Sequence, residues 1–241
     1  MDDTLFNVGG RLSSLFTGND KESDKSIIMS AIFEKTSCRD ASKLIVPKNA
    51  KLSYAFAGCK SLISAPKTLS DSITHKGQYR NMYEGCSSLT NISELPARSL
   101  TKDCYMSLFG GCVSLTVAPE IMATSSAESC FNRMFAGCSS LSKAYGLLTT
   151  TLEKRSCYRM FYNCSSLTSF NFGNQSIYAN SADSLGEMFS GCSKLSNIRC
   201  LYDDRDGNGP LSYTNWTSGV ASQGTFVTNT DKWKRGTDGI P

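Results

Sequence analysis

The sequence predicts an α/β solenoid, with short parallel β-strands on a concave face, short α or 3₁₀ segments and turns on a convex face, and small β caps at both ends. Three observations carry this expectation. The motif Phe-x-Gly-Cys-x-x-Leu recurs six times. Its spacing is nearly constant, and each copy is followed by a segment with the composition of extended chain. A fixed period of about 20 to 50 residues marks stacked repeats, because one repeat cannot bury its own apolar face.

The copies read YAFAGCKSL, NMYEGCSSL, SLFGGCVSL, RMFAGCSSL, RMFYNCSSL and EMFSGCSKL. Their cysteines, Cys59, Cys86, Cys112, Cys138, Cys164 and Cys192, set a period of 26 residues, with one interval a residue longer and another two longer. Three positions before each cysteine stands an aromatic residue: Phe56, Tyr83, Phe109, Phe135, Phe161 or Phe189. Ahead of five of these aromatics is Met82, Leu108, Met134, Met160 or Met188. Three positions after the cysteine comes Leu62, Leu89, Leu115, Leu141, Leu167 or Leu195. Each repeat is therefore expected to bury aromatic, Cys and Leu against the repeats above and below it.

Gly58, Gly85, Gly111, Gly137 and Gly191 precede their cysteines, and Asn163 holds that place in the remaining copy. Glycine and asparagine are the residues that best tolerate positive φ, so this column predicts a left-handed turn. A looser column holds Cys104, Cys130 and Cys157, with Gln78 and Ser184 in the other copies. The stretch from that column to the glycine, such as CYRMFYN, has the length of one or two helical turns, which places a short α or 3₁₀ segment on the convex side. After each leucine, segments such as LTNISELPARSL and LTVAPEIMATSS supply the strand and the return. Pro66, Pro96 and Pro119 favour extended backbone there. Together these columns specify a leucine-rich-repeat solenoid.

Three parts follow along the chain. Residues 1–29 are read as an N-terminal β-hairpin cap, turning at Gly9-Gly10 in LFNVGGRLSSLF. Residues 30–201 are the solenoid, with about six coils of 26 residues. Its degenerate first coil, residues 30–58, is marked by AIF, Cys38, Leu44 and Pro47. Residues 202–241 form a C-terminal capping module. Caps are expected because a bare end would expose the core.

The coil, with Leu-Pro-Ala at Leu95–Ala97, resembles the BspA-type (Treponema-type) leucine-rich repeats of surface proteins from Bacteroides-like bacteria and their phages. The resemblance spans roughly residues 30–241. It includes the tail, where NWTSGVASQGTF (Asn215–Phe226), Trp233 and GIP (Gly239–Pro241) match the module that follows the last repeat. This tail match is the more specific one. Members of that group usually continue beyond GIP with a Gly-Trp pair, so the chain is either trimmed or naturally short there. The resemblance implies an extracellular, non-catalytic adhesion or ligand-binding protein, or a host-binding part of a phage. It implies no particular ligand.

Composition narrows the function classes. The net charge is +4, and the 25 Lys and Arg are scattered, so no polyanion-binding stripe stands out and a nucleic-acid partner is not expected. No apolar run approaches the roughly 20 residues that cross a bilayer, so direct membrane insertion is not expected. MDDTLFNVGG carries no basic, apolar and cleavable arrangement of a secretory signal.

Catalytic chemistry has little support. His75 lies in THKGQ without a Ser or Cys column around it, and acidic residues recur at no fixed column, so neither a triad nor a carboxylate pair is indicated. The eleven cysteines form no C-x-x-C pair and follow the repeat period, which favours buried, unpaired thiols over a zinc cage. No cofactor is required. One stretch points to calcium: in Asp203–Gly209, Asp204, Asp206 and Asn208 stand at positions one, three and five of a calcium loop. Against it, position twelve is Asn215 instead of glutamate, and Asp-Gly and Asn-Gly are ordinary turn formers. Trp216, Phe226 and Trp233 are read as the core of the C-terminal cap, with sugar stacking as the alternative.

The expected function is a non-enzymatic, surface-displayed module for adhesion or ligand binding. Its partner would be a host or bacterial surface protein or glycan, contacted by residues pointing out of the concave strands. The alternative is a virion protein of a phage tail or capsid appendage that recognises a bacterial surface.

Overall fold

In the Phe-x-Gly-Cys segments every second backbone N–H reaches into the next repeat. In the computed structural model, which describes residues 5–11, 27–28, 30–48, 50–203 and 215–229, the N–H groups of Leu52, Tyr54, Phe56 and Gly58 donate to the carbonyls of Gln78, Arg80, Met82 and Glu84 at 2.6–2.9 Å. The intervening Ala55, Ala57 and Cys59 N–H groups donate three residues back, to Leu52, Tyr54 and Phe56, at 3.0–3.1 Å. Each segment is thus a run of overlapping four-residue turns, stitched to its neighbour by alternate hydrogen bonds. The same pattern joins Ser129, Phe131, Arg133, Phe135 and Gly137 to Lys154, Ser156, Tyr158, Met160 and Tyr162.

This arrangement corrects the expected α/β leucine-rich-repeat solenoid. Among the described residues the sole helix is a 3₁₀ turn, Ala182–Ser184. A helix is excluded for a local reason: every fourth residue of the turn run has positive φ, as at Ser129 (57°), Arg133 (54°) and Gly137 (77°). A helix would also direct all of its N–H groups inward along its own axis, whereas here half are given to the next repeat. The period of the motif reported the stacking of repeats but not the backbone conformation that performs it.

The strands differ from expectation as well. They are β1 (Phe6–Arg11), β2 (Ile27–Ile28), β3 (Cys38–Ile45), β4 (Ala50–Lys51), β5 (Thr151–Leu152), β6 (Ser169–Asn171), β7 (Tyr178–Ala179), β8 (Asn197–Arg199) and β9 (Thr225–Val227). All described pairings are parallel, in four small sheets: β1-β3, β2-β4, β5-β7 and β6-β8-β9. The described residues form no single continuous concave sheet; isolated parallel bridges such as Ser64 to Asn91 and Val117 to Lys143 join repeats outside the named strands. Nor does the chain turn at Gly9-Gly10. Both glycines lie inside β1, which runs parallel to β3 with Gly9 opposite Lys43 and Gly10 opposite Leu44. At the other end, β9 adds to β8 with Phe226 opposite Ile198, and so extends a repeat sheet.

The core is a set of side-chain columns. Phe33, Phe56, Tyr83, Phe109, Phe135, Phe161 and Phe189 stack ring on ring at centroid separations of 5.0–5.8 Å and interplanar angles of 7–21°. Offset stacking at this distance is favourable and adds to the burial of the rings. The Cys and Leu columns beside them are fully enclosed, from Cys86 and Leu89 to Cys192 and Leu195. The column of left-handed turns predicted from glycine holds throughout, with φ between 72° and 80° at the five glycines and 59° at Asn163.

Two further turns of the same kind were not legible. Ahead of the first motif, Lys35 (φ 55°) takes the glycine place and Thr36 the cysteine place, so Thr36, and not Cys38, is the counterpart of the thiol column. Beyond the last motif, Asn215 (φ 51°) and Gly219 (φ 70°) repeat the backbone of Glu187 and Gly191, and the N–H groups of Phe189 and Gly191 donate to Trp216 and Ser218.

Candidate binding face

The exposed face is built from the residue two positions after five of the six column leucines: Asn91, Val117, Lys143, Ser169 and Asn197 are all exposed, Ser64 after Leu62 is half-buried, and Thr225 continues the line. Period-two alternation places their neighbours inward, as with Ala118, Phe170 and Ile198. Neighbouring repeats along this face are joined by a repeated pair of hydrogen bonds. Asn91 N–H donates to Ile63 O at 3.0 Å and Ala65 N–H to Asn91 O at 2.8 Å. Lys143 N–H donates to Thr116 O at 3.3 Å and Ala118 N–H to Lys143 O at 2.9 Å.

Between Asn91 and Val117 that pair is missing. The equivalent bonds would run from Val117 N–H to Thr90 O and from Ile92 N–H to Val117 O, and neither forms; the repeats meet again at Leu95, whose carbonyl accepts from Met122 N–H at 3.3 Å. The parting opens a groove of about 680 Å³. Its walls are Ile92, Leu95, Pro96, Val117, Pro119 and Met122, with Tyr145 at one end and Thr90, Asn91 and Ser93 among the polar lining. Glu94 and Glu120 line it as well; both are exposed, and among the described residues neither carboxylate has an ion-pair or hydrogen-bond partner. Beyond the groove, Lys143 stands over the Tyr145 ring at 5.0 Å.

Beneath this face the polar core is fixed. Tyr83 Oη lies 3.0 Å from Ser93 Oγ, which donates to Pro66 O at 2.6 Å. This chain ties the floor of the groove to the aromatic column. The thiols are similarly tied: Cys86, Cys112, Cys138, Cys164 and Cys192 each donate to the carbonyl of the aromatic residue one repeat earlier, at 3.0–3.2 Å. All eleven cysteines are free and buried. Burial raises the Cys138 and Cys192 thiols to about 12, outweighing the backbone hydrogen bonds of Cys112 and Cys164 that act in the opposite direction. These are inert packing groups and not nucleophiles.

On the turn face, Arg159 binds Glu187 of the next repeat through Nη2, at 2.9 Å to both carboxylate oxygens, while Tyr158 Oη donates to Glu187 Oε1 at 2.8 Å. Burial acts to raise the Glu187 carboxyl, but the hydrogen bonds from Arg159 and Tyr158 prevail and hold it below its usual range. The Arg159 guanidinium also lies over the rings of Tyr158 and Tyr162, at 5.2 and 5.1 Å.

The sequence-derived candidates fare differently. Asp204, Asp206 and Asn208, the calcium-loop residues, lie outside the described residues, as does Trp233. Among the described residues no three His, Cys, Asp or Glu side chains stand close enough to share a metal ion. Trp216 is buried, 6.0 Å from the Phe189 ring and 6.1 Å from that of Phe226, so its faces serve the core and are closed to a sugar. His75 Nδ1 is 2.8 Å from Thr74 Oγ1, and its carbonyl accepts from Thr101. The groove itself has no signature in the motif columns. Which of the hydrogen-bonded pairs along the face would be lost was not readable from the repeat.

No protein-family model matches this chain, and no match was found among curated proteins.

Proposed function

We propose that this protein is a non-catalytic binding module, displayed on a cell surface, that holds a protein or glycan partner in the groove between the Asn91 and Val117 repeats. The observation that carries this reading is the parted ladder. The stack interrupts its hydrogen bonding here, as it also does between Lys143 and Ser169, and here the break lies together with apolar walls, unpaired backbone groups and two carboxylates without a cationic partner. Grooves of several hundred Å³ with apolar walls and a few polar groups are the usual form of a recognition site. Val117, 40% exposed, is one of the few large apolar side chains left in solvent among the described residues. The resemblance of the repeat and the tail to BspA-type surface proteins supports an extracellular setting.

The test is a binding screen of the full chain against host glycans, matrix proteins and bacterial surface polysaccharides, with Val117→Arg as the control. Saturable binding that Val117→Arg abolishes, with an unchanged circular dichroism spectrum, is the expected result. A ligand bound equally by both proteins, or no ligand in any class, overturns the proposal.

A further inference from the structure

We infer that the groove takes an extended peptide segment bearing lysine or arginine, held as an added strand; this rests on the binding role proposed above and names its ligand. Three features of the groove converge on that chemistry. The first is the set of backbone groups left over at the parting. Ile92 N–H, Val117 N–H and Val117 C=O make no hydrogen bond, although their counterparts Ala65 N–H, Asn91 N–H and Asn91 C=O are all paired. Unpaired donors and acceptors lining a strand edge are what β-strand addition uses, since a second extended backbone supplies the complementary groups.

The second feature is charge. Glu94 and Glu120 line the groove, both exposed and both without a cationic partner among the described residues, while the other lining residues carry no charge. A cationic side chain on the ligand would meet two carboxylates without displacing an existing ion pair. The third is the lining. Ile92, Val117 and Met122 offer apolar contact to one side of a strand, and side chains of an extended peptide alternate between two sides. A segment that alternates apolar and basic residues therefore presents one side to these walls and the other to the carboxylates at the rim. A neutral glycan would use the walls but would leave both carboxylates and the strand-like register of the backbone groups unmatched.

The test uses the full chain and three probes: an acetylated, amidated hexapeptide of alternating valine and lysine; the same peptide with glutamate for lysine; and the lysine peptide N-methylated at alternate amides. Affinity is read by calorimetry. The lysine peptide is expected to bind at least tenfold more tightly than either of the others, and the Glu94→Gln, Glu120→Gln double variant is expected to lose about tenfold for the lysine peptide at an unchanged melting temperature. Failure of the wild-type chain to bind the lysine peptide, equal binding of the three probes, or indifference to the double variant each overturns the inference. If instead a neutral oligosaccharide binds and Val117→Arg abolishes it, the peptide assignment fails while the groove's binding role stands. If neither class binds, both fall.

Discussion

The thiol of Cys138 donates a hydrogen bond of 3.1 Å to the carbonyl oxygen of Phe109, one repeat earlier, and the same oxygen accepts the N–H of Cys112 at 3.2 Å. One carbonyl thereby uses both lone pairs, one within its own turn and one across the repeat interface. This explains cysteine at a buried position where any small apolar residue would fill the space: the thiol is small enough for the column and still carries a weak donor. Truncation should separate the two contributions. Cys138→Ala is expected to cost about 1–2 kcal/mol in urea unfolding, from lost contact and the lost bond. Cys138→Val, which refills the site with apolar atoms, overfills it slightly and carries no donor, should keep a deficit of at least about 0.5 kcal/mol. A valine variant as stable as the parent would show that the bond contributes nothing.

The buried thiols make the fold sensitive to alkali. Burial raises Cys38, Cys104, Cys138, Cys157 and Cys192 from 9.0 to about 12. A thiol whose folded value exceeds its unfolded value keeps its proton in the native chain after the unfolded chain has released it. Stability is therefore complete below pH 9 and is lost as pH rises from there toward 12. Each such thiol adds to the loss over that window, so several together make it steep. The melting temperature should be level to pH 8.5 and fall steeply above pH 9. A melting temperature unchanged at pH 10.5 would contradict this.

For the same reason the native chain should resist thiol reagents. At pH 8 Ellman's reagent is expected to label none of the eleven cysteines in minutes and all of them after denaturation in urea. Rapid labelling of a single native thiol would place that residue at the surface.

Arg133 offers a test of the turn architecture against a helix. It is exposed and has φ of 54°, a conformation costing a non-glycine residue about 1–2 kcal/mol. Arg133→Gly should therefore be more stable than Arg133→Ala by about 1 kcal/mol. In a helix the order would be reversed by a similar amount. The sign of this difference, read from two melting curves, decides between the two backbones.

Tyr83 and Tyr105 occupy neighbouring aromatic columns, but only one of them uses its hydroxyl. Tyr83 Oη meets Ser93 Oγ at 3.0 Å, whereas the buried Tyr105 Oη has no partner. Tyr83→Phe is expected to cost about 1 kcal/mol. Tyr105→Phe should be neutral or stabilising, because it removes a buried polar atom that gains nothing. Equal losses at the two sites would show that an ordered water satisfies Tyr105.

By itself the sequence determined the period, the buried columns and the left-handed turn before each cysteine. Each is a local demand repeated until it cannot be missed: a ring and a thiol that need neighbours above and below, and a backbone position suited to glycine or asparagine. It did not determine what the backbone does between those positions, because CYRMFYN has a length and composition that suit a helical turn equally well. Arg133, Arg155 and Arg159 adopt positive φ that no residue preference announces, since hydrogen bonds from the adjoining repeats outweigh the local cost. The same holds at the ends, where Lys35-Thr36 and Asn215 continue the turn with residues unlike the motif, and where β1 pairs in parallel with β3 although Gly9-Gly10 suggests a hairpin. The groove belongs to this second class. Ile92 and Val117 are ordinary strand residues in the chain, and only the packing of one repeat on the next decided that their hydrogen bonds would be left open.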